Sequence, residues 1–234
     1  MKIGNMFDSW RQKGFGASWI EGLLLLVKVI CAVIPIILLI GIANAIVQSV
    51  FGISANILSD ADNSRAAVSF MTIVGSFIGS FLNILLISFL AMIEAAGGMT
   101  YRDKGSVTFG DMWYVFSAPN KGTIILAFFL RSLLTSVGTL CCILPGIFIA
   151  VATVWLPYVL LVKPELTAVE AIKYSIRLFL NNIGIWFTAF LDILLMYLLS
   201  MLCCCSPVFM PLTYPFLFKR MAEAFIDSYI ADNR

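Results

Sequence analysis

The sequence predicts an all-α, polytopic membrane protein of six transmembrane helices, and three observations carry that reading. Of 234 residues, 61% are hydrophobic and only 12% charged, with a mean hydropathy of +1.00. A soluble domain carries about 25% charged residues. Uninterrupted apolar runs exceed the roughly 18 residues needed to cross a hydrocarbon core, and lysine and arginine gather on alternate loops. No polar stretch is long enough for a separate soluble unit, so residues 1–234 read as one transmembrane helical domain.

Hydropathy places the spans at about 22–50, 67–97, 122–142, 144–162, 183–204 and 207–226. The apolar run after Glu21 reads as a retained helix rather than a cleaved signal, and Pro35 inside it predicts a kink. The second span carries "GSFIGS" (75–80), small residues four apart that let a neighbouring helix approach closely. The third and fourth spans abut, which forces a tight hairpin around Leu144–Pro145–Gly146. The fifth and sixth form a second hairpin around Ser206–Pro207, and Pro211 and Pro215 predict a distorted last helix.

Orientation follows from the charges. With both termini cytoplasmic, the inner side collects residues such as Lys2, Arg11, Arg102, Lys104, Lys163, Lys173, Lys219 and Arg220, and the outer side only Arg65. That pattern points to a multi-pass membrane protein with a basic cytoplasmic face. Two cytoplasmic stretches read as interfacial helices. In 108–118, Thr108 and Asp111 have capping-box spacing ahead of a run of aromatics. In 165–180, entered through Pro164 and Glu165, Ala168, Ala171, Ile172, Ile176 and Phe179 form an apolar stripe opposite Glu170, Lys173 and Arg177. The lipid bilayer is the first partner. Further membrane-protein subunits could dock on these two helices, and nothing in the chain suggests nucleic acid.

"LCCILP" (140–145) and "LCCCSP" (202–207) share Leu-Cys-Cys-x-x-Pro, 62 residues apart, each at the outer tip of a hairpin. A parallel repeat of two hairpins and convergent turn chemistry both account for this match. Three consecutive cysteines fan apart by about 100° each on a helix and cannot all face one ion. With no histidine in the chain, no metal site is expected. Cys141, Cys142, Cys203 and Cys204 lie where oxidation is allowed, so a disulfide joining the two tips is an expectation to test.

Four ionisable residues fall inside the spans: Lys28, Glu94, Arg131 and Asp192. Such groups are costly in lipid and turn towards the bundle interior, a cavity or one another. Arg131 and Asp192 each lie about nine residues past the inner start of their helices, ~13 Å deep at 1.5 Å per residue. A shared level predicts an Arg131–Asp192 ion pair across the third and fifth spans, structural or engaged in transport. Lys28 and Glu94 lie nearer the inner interface, within reach of the headgroups or of each other.

The stretch "ILPGIFIAVATVWLPYVLLVKPELTAVEAIKYSIRL" resembles the signature of an uncharacterised bacterial family of six-helix membrane proteins. That domain of unknown function is related to the membrane domain of some glycerophosphodiester phosphodiesterases. The likeness runs through Pro145–Gly146, Pro157, Pro164–Glu165–Leu166, Glu170–Ala171–Ile172, Ser175, Leu191–Asp192 and the cytoplasmic "YRDKGSVTFGDMWYVF". The double-cysteine turns lie outside that pattern. The resemblance implies the fold and a bacterial inner-membrane location but no established activity, and this chain has no phosphodiesterase domain.

Without histidine there is no Ser–His or Cys–His arrangement, so an enzyme is the least expected class and no cofactor is implied. The first expectation is a non-catalytic accessory, structural or assembly subunit of a larger membrane complex. The second is a small transporter or channel for a solute, ion or lipid that uses the Arg131 and Asp192 charges.

Overall fold

The computed structural model describes residues 15–59, 65–202 and 206–233. Helices account for nearly all of these residues, and no strand occurs among them. In chain order the helices are α1 (Phe15–Ser59), α2 (Arg65–Lys104), α3 (Phe109–Ser117), α4 (Lys121–Cys141) and α5 (Ile143–Ala152). They continue as α6 (Leu156–Val162), α7 (Ala168–Asn181), α8 (Ile183–Leu202) and α9 (Ser206–Asp232).

Four segments are long and apolar enough to cross a membrane: Ala17–Phe51, Val68–Lys104, Lys121–Cys141 and Ile143–Val162. A fifth arises if α7 and α8 are counted as one span, but these two meet at 82°. The last two residues of the fifth span expected from hydropathy, with the Cys203–Cys205 turn, lie outside the described residues, and the sixth, 207–226, falls in α9, which is not among these candidates. Pro35 sits inside the unbroken α1.

Lipid is as apolar as leucine, so helices in a membrane gain little from hydrophobic transfer and depend on close packing and hydrogen bonds. The sequence supplies both. A Cβ on Gly75 would lie 2.9 Å from the Phe51 side chain of α1, so "GSFIGS" does let α1 against α2. Beside it, Asn44 and Asn83 exchange amide hydrogen bonds of 2.9 and 3.1 Å between the same two helices. A Cβ on Gly98 would stand 2.7 Å from the Phe218 carbonyl oxygen, so α2 and α9 meet backbone to backbone at this point.

The first hairpin turns tighter than expected. One extended residue, Cys142, joins α4 to α5, and Pro145 and Gly146 belong to the first turn of α5. Proline is tolerated there because the first helical N–H groups have no intrahelical partner. Glycine is required, because a Cβ on Gly146 would fall 2.7–2.8 Å from the backbone of Thr139. Cys141 and Cys142 are free thiols and exposed, while their expected partners Cys203 and Cys204 are outside the described residues.

The fourth span is broken. Residues 153–155 leave the helix between α5 and α6, and Leu156 N–H donates to the Thr153 carbonyl at 3.1 Å. Pro157 is the cause: it has no N–H to give the carbonyl four residues back, which is that of Thr153, and its ring crowds that turn.

The core gathers on the Lys121 and Lys163 side of the bundle. Phe128, Trp155, Leu156, Leu178 and Phe225 are fully buried and belong to one cluster. α7 forms part of this core rather than lying apart on a surface. Its capping box is made by Thr167 and Glu170, three residues later than Pro164 suggests. Ala168, Ala171, Ile172, Ser175, Leu178 and Phe179 are buried, and Glu170, Lys173 and Arg177 are exposed. The apolar stripe is spent inside the molecule, against α4, α6 and α9. In α3, the Thr108–Asp111 box forms as expected: Thr108 N–H donates to Asp111 at 2.9 Å, and Asp111 N–H to the Thr108 hydroxyl at 3.3 Å.

Candidate functional site: the charges within the helices

The chemistry of this chain rests on where its few charges end up. The expected Arg131–Asp192 pair does not form. Asp192 accepts from Arg220 Nε at 2.8 Å, which ties α8 to α9. α4 and α8 share no substantial interface, so equal depth along two helices does not make them neighbours.

Arg131 is satisfied differently. Its Nε donates to the Thr153 hydroxyl at 2.9 Å, Nη1 to the Ser88 hydroxyl at 3.2 Å and Nη2 to the Ala150 carbonyl at 3.4 Å. These bonds join α4, α2 and the broken end of α5. No carboxylate meets the guanidinium among the described residues. The cation instead lies at the C-terminus of α5, where unpaired carbonyls concentrate partial negative charge. The two hydroxyls are held by their own helices: Ser88 donates to the Ile84 carbonyl and Thr153 to that of Ile149.

Lys28 and Glu94 do not pair either. Lys28 Nζ donates to the Val107 carbonyl at 2.9 Å, tying α1 to the segment before α3. Close by, the Tyr101 hydroxyl donates to Glu21 at 3.1 Å and links α2 to α1. Glu94 has no hydrogen bond or ion pair among the described residues. Its carboxylate opens on a cavity of about 190 Å³ between α2, α6 and α9, walled chiefly by Ala91, Pro157, Tyr158, Phe218 and Met221.

A second cavity, of about 480 Å³, lies between α2 and α4 near the Cys141 tip. Thr72, Ser76, Ser80, Ser136 and Thr139 line it with hydroxyls, and Ile73, Phe77 and Leu140 complete its wall. Ser136 is buried and its hydroxyl has no partner among the described residues. Neither Arg131 nor Asp192 nor Arg220 lines either cavity.

In α3, just after α2, Asp111 receives the Thr108 hydroxyl and backbone N–H, with Lys104 at 3.5 Å. These donors, the hydroxyl foremost, hold its carboxyl below the usual aspartate range. Lys163 lies over the rings of Tyr174 and Tyr229, 4.3 and 5.4 Å from their centroids. No cluster of three metal-ligating side chains occurs among the described residues.

Spacing and hydropathy pointed to all four ionisable residues, but not to their partners. Arg220 and Tyr158 were missed as members of these sites. One signal for the Arg131 site was present in the sequence: Pro157 marks a break four residues earlier, and a broken helix end can hold a cation. No protein-family model, curated protein or solved structure matches this chain.

Proposed function

We propose that this chain is a bacterial inner-membrane protein of six spans with both termini cytoplasmic. In this reading it acts as a non-catalytic accessory or assembly subunit of a larger membrane complex. The orientation is supported by the concentration of lysine and arginine on alternate loops. The six-span fold is supported by the residues that resemble the uncharacterised six-helix family.

One observation carries the accessory reading. Arg131, Asp192 and Arg220 all spend their charge or their donors on ties within the chain, and none of them lines a described cavity. A solute pathway needs such groups facing a lumen. The test is the mass of the complex extracted in mild detergent from cells expressing the chain at native level. A stoichiometric foreign subunit, retained at high salt, supports the reading. A homo-oligomer alone rejects it.

A second reading, a small transporter or channel, draws on the broken α5–α6 span. Discontinuous helices with an ion-binding group at the break are a recurring device of transporters. Solute flux into vesicles holding the purified chain alone, lost in Arg131→Met, would favour it.

A further inference from the structure

We infer that the cavity between α2, α6 and α9 is a binding site for an organic ammonium group, with Glu94 as its counter-ion. The inference does not depend on the accessory-subunit reading. The other carboxylates inside the expected spans are paired, Asp192 with Arg220 at 2.8 Å and Glu223 with Lys219 at 3.3 Å. Glu94 has no cation, hydrogen-bond donor or ion pair among the described residues, and it lines a cavity that is otherwise largely apolar. Glu94 is itself exposed beside this apolar wall, so its carboxylate is open to a cationic ligand, and at the hydrocarbon depth expected for this part of α2 such a ligand offsets the cost of an unpaired charge.

The walls select the kind of cation. Tyr158 is 7% exposed, and its hydroxyl has no hydrogen-bond partner among the described residues. Tyr158 and Phe218 supply aromatic surface, which attracts ammonium ions through the ring quadrupole. Both rings are braced: Tyr158 stacks on Phe225 at 5.2 Å, and Phe218 on Tyr214 at 5.8 Å. Gly97 admits Phe218 to this position, since a Cβ there would lie 2.5 Å from its ring.

A hard metal ion is a poor fit. Calcium takes six to eight oxygen ligands and magnesium near-octahedral geometry, whereas this cavity offers one carboxylate and one phenol. About 190 Å³ accepts a small headgroup and not an acyl chain. The shared chemistry is therefore a small alkylammonium, free in solution or carried on an aminophospholipid.

The experiment uses the full chain in nanodiscs of phosphatidylglycerol, which carries no amine. Ethanolamine hydrochloride is titrated against equal concentrations of sodium chloride while thermal unfolding is followed. In a second arm, the chain is purified from phosphatidylethanolamine nanodiscs and retained lipid is counted by native mass spectrometry. A saturable rise in unfolding temperature specific to ethanolamine identifies the free amine. One retained phosphatidylethanolamine per chain without that rise identifies the lipid.

Either effect should weaken by about tenfold or more in Glu94→Gln, as expected when a charge partner is removed, and should weaken in Phe218→Leu. Absence of both effects in the unsubstituted chain overturns the inference. So does undiminished binding in Glu94→Gln or, where that variant does not fold, in Phe218→Leu.

Discussion

Asp192 and Glu94 are two carboxylates placed within the expected spans, and they end in opposite conditions. Asp192 lies at the α8–α9 contact, where Arg220 meets it at 2.8 Å and the arginine side chain is 11% exposed. Glu94 lies on α2 beside a cavity and meets no cation among the described residues. One acid holds two helices together, whereas the other adds nothing to the bundle and leaves a charge available to something outside the chain. The difference separates structural charge from functional charge in a protein whose ionisable groups are few.

Removing one partner of a well-shielded ion pair leaves the other charge stranded, which costs about 3–5 kcal/mol when fully buried. Asp192 is 28% exposed at its side chain, so Asp192→Asn should cost less, about 2 kcal/mol. Glu94→Gln should be neutral or slightly stabilising in amine-free nanodiscs. Chemical unfolding of both variants under one condition measures the contrast, and equal losses would break it.

Arg131 provides an intermediate case, since it is hydrogen-bonded but not neutralised by a carboxylate. Arg131→Met gives up three hydrogen bonds and strands the α5 carbonyls, for a loss of about 1–2 kcal/mol. Chymotrypsin cleavage after Trp155 should rise in that variant, while trypsin cleavage after Arg220 should not. Ser88→Ala removes one acceptor of the guanidinium and should cost about 1 kcal/mol. A larger loss would mean that Ser88 supports more than Arg131.

The smallest effect concerns an exposed acid whose partners are local. The folded pKa of Asp111 is lowered by Thr108. Its capping contribution is therefore fully present above the ordinary aspartate value of 3.8 and lost as pH falls through the lowered folded value. Trp113 fluorescence, read with the other tryptophans replaced, should report loosening of α3 only below about pH 4. Thr108→Ala should shift that loosening upward.

Much of the architecture was legible in the sequence. Apolar run length revealed the helices, three-and-four spacing revealed the α7 stripe, and capping-box spacing marked the start of α3. Small residues four apart announced the close approach of α1 to α2. The hairpin turn was misplaced by a few residues because Pro145 can sit in a first helical turn as readily as in a loop. Side-chain partners were the least legible. Depth can be counted along a helix, but which helices are neighbours depends on packing that one sequence does not display. Arg131 and Asp192 share a level yet belong to different contacts. The Glu94 cavity was invisible for the same reason, because Tyr158 and Phe218 come together from α6 and α9 only after folding.

The central claim is that Asp192 serves Arg220 and not Arg131. The direct measurement is a pair of double-mutant cycles on unfolding free energy in nanodiscs, one joining Asp192→Asn to Arg220→Gln and the other joining Asp192→Asn to Arg131→Gln. The structure predicts a coupling of about 1 kcal/mol or more in the first cycle and additivity within about 0.5 kcal/mol in the second. Additivity in the first with coupling in the second would contradict it, and would restore the ion pair that equal depth suggests.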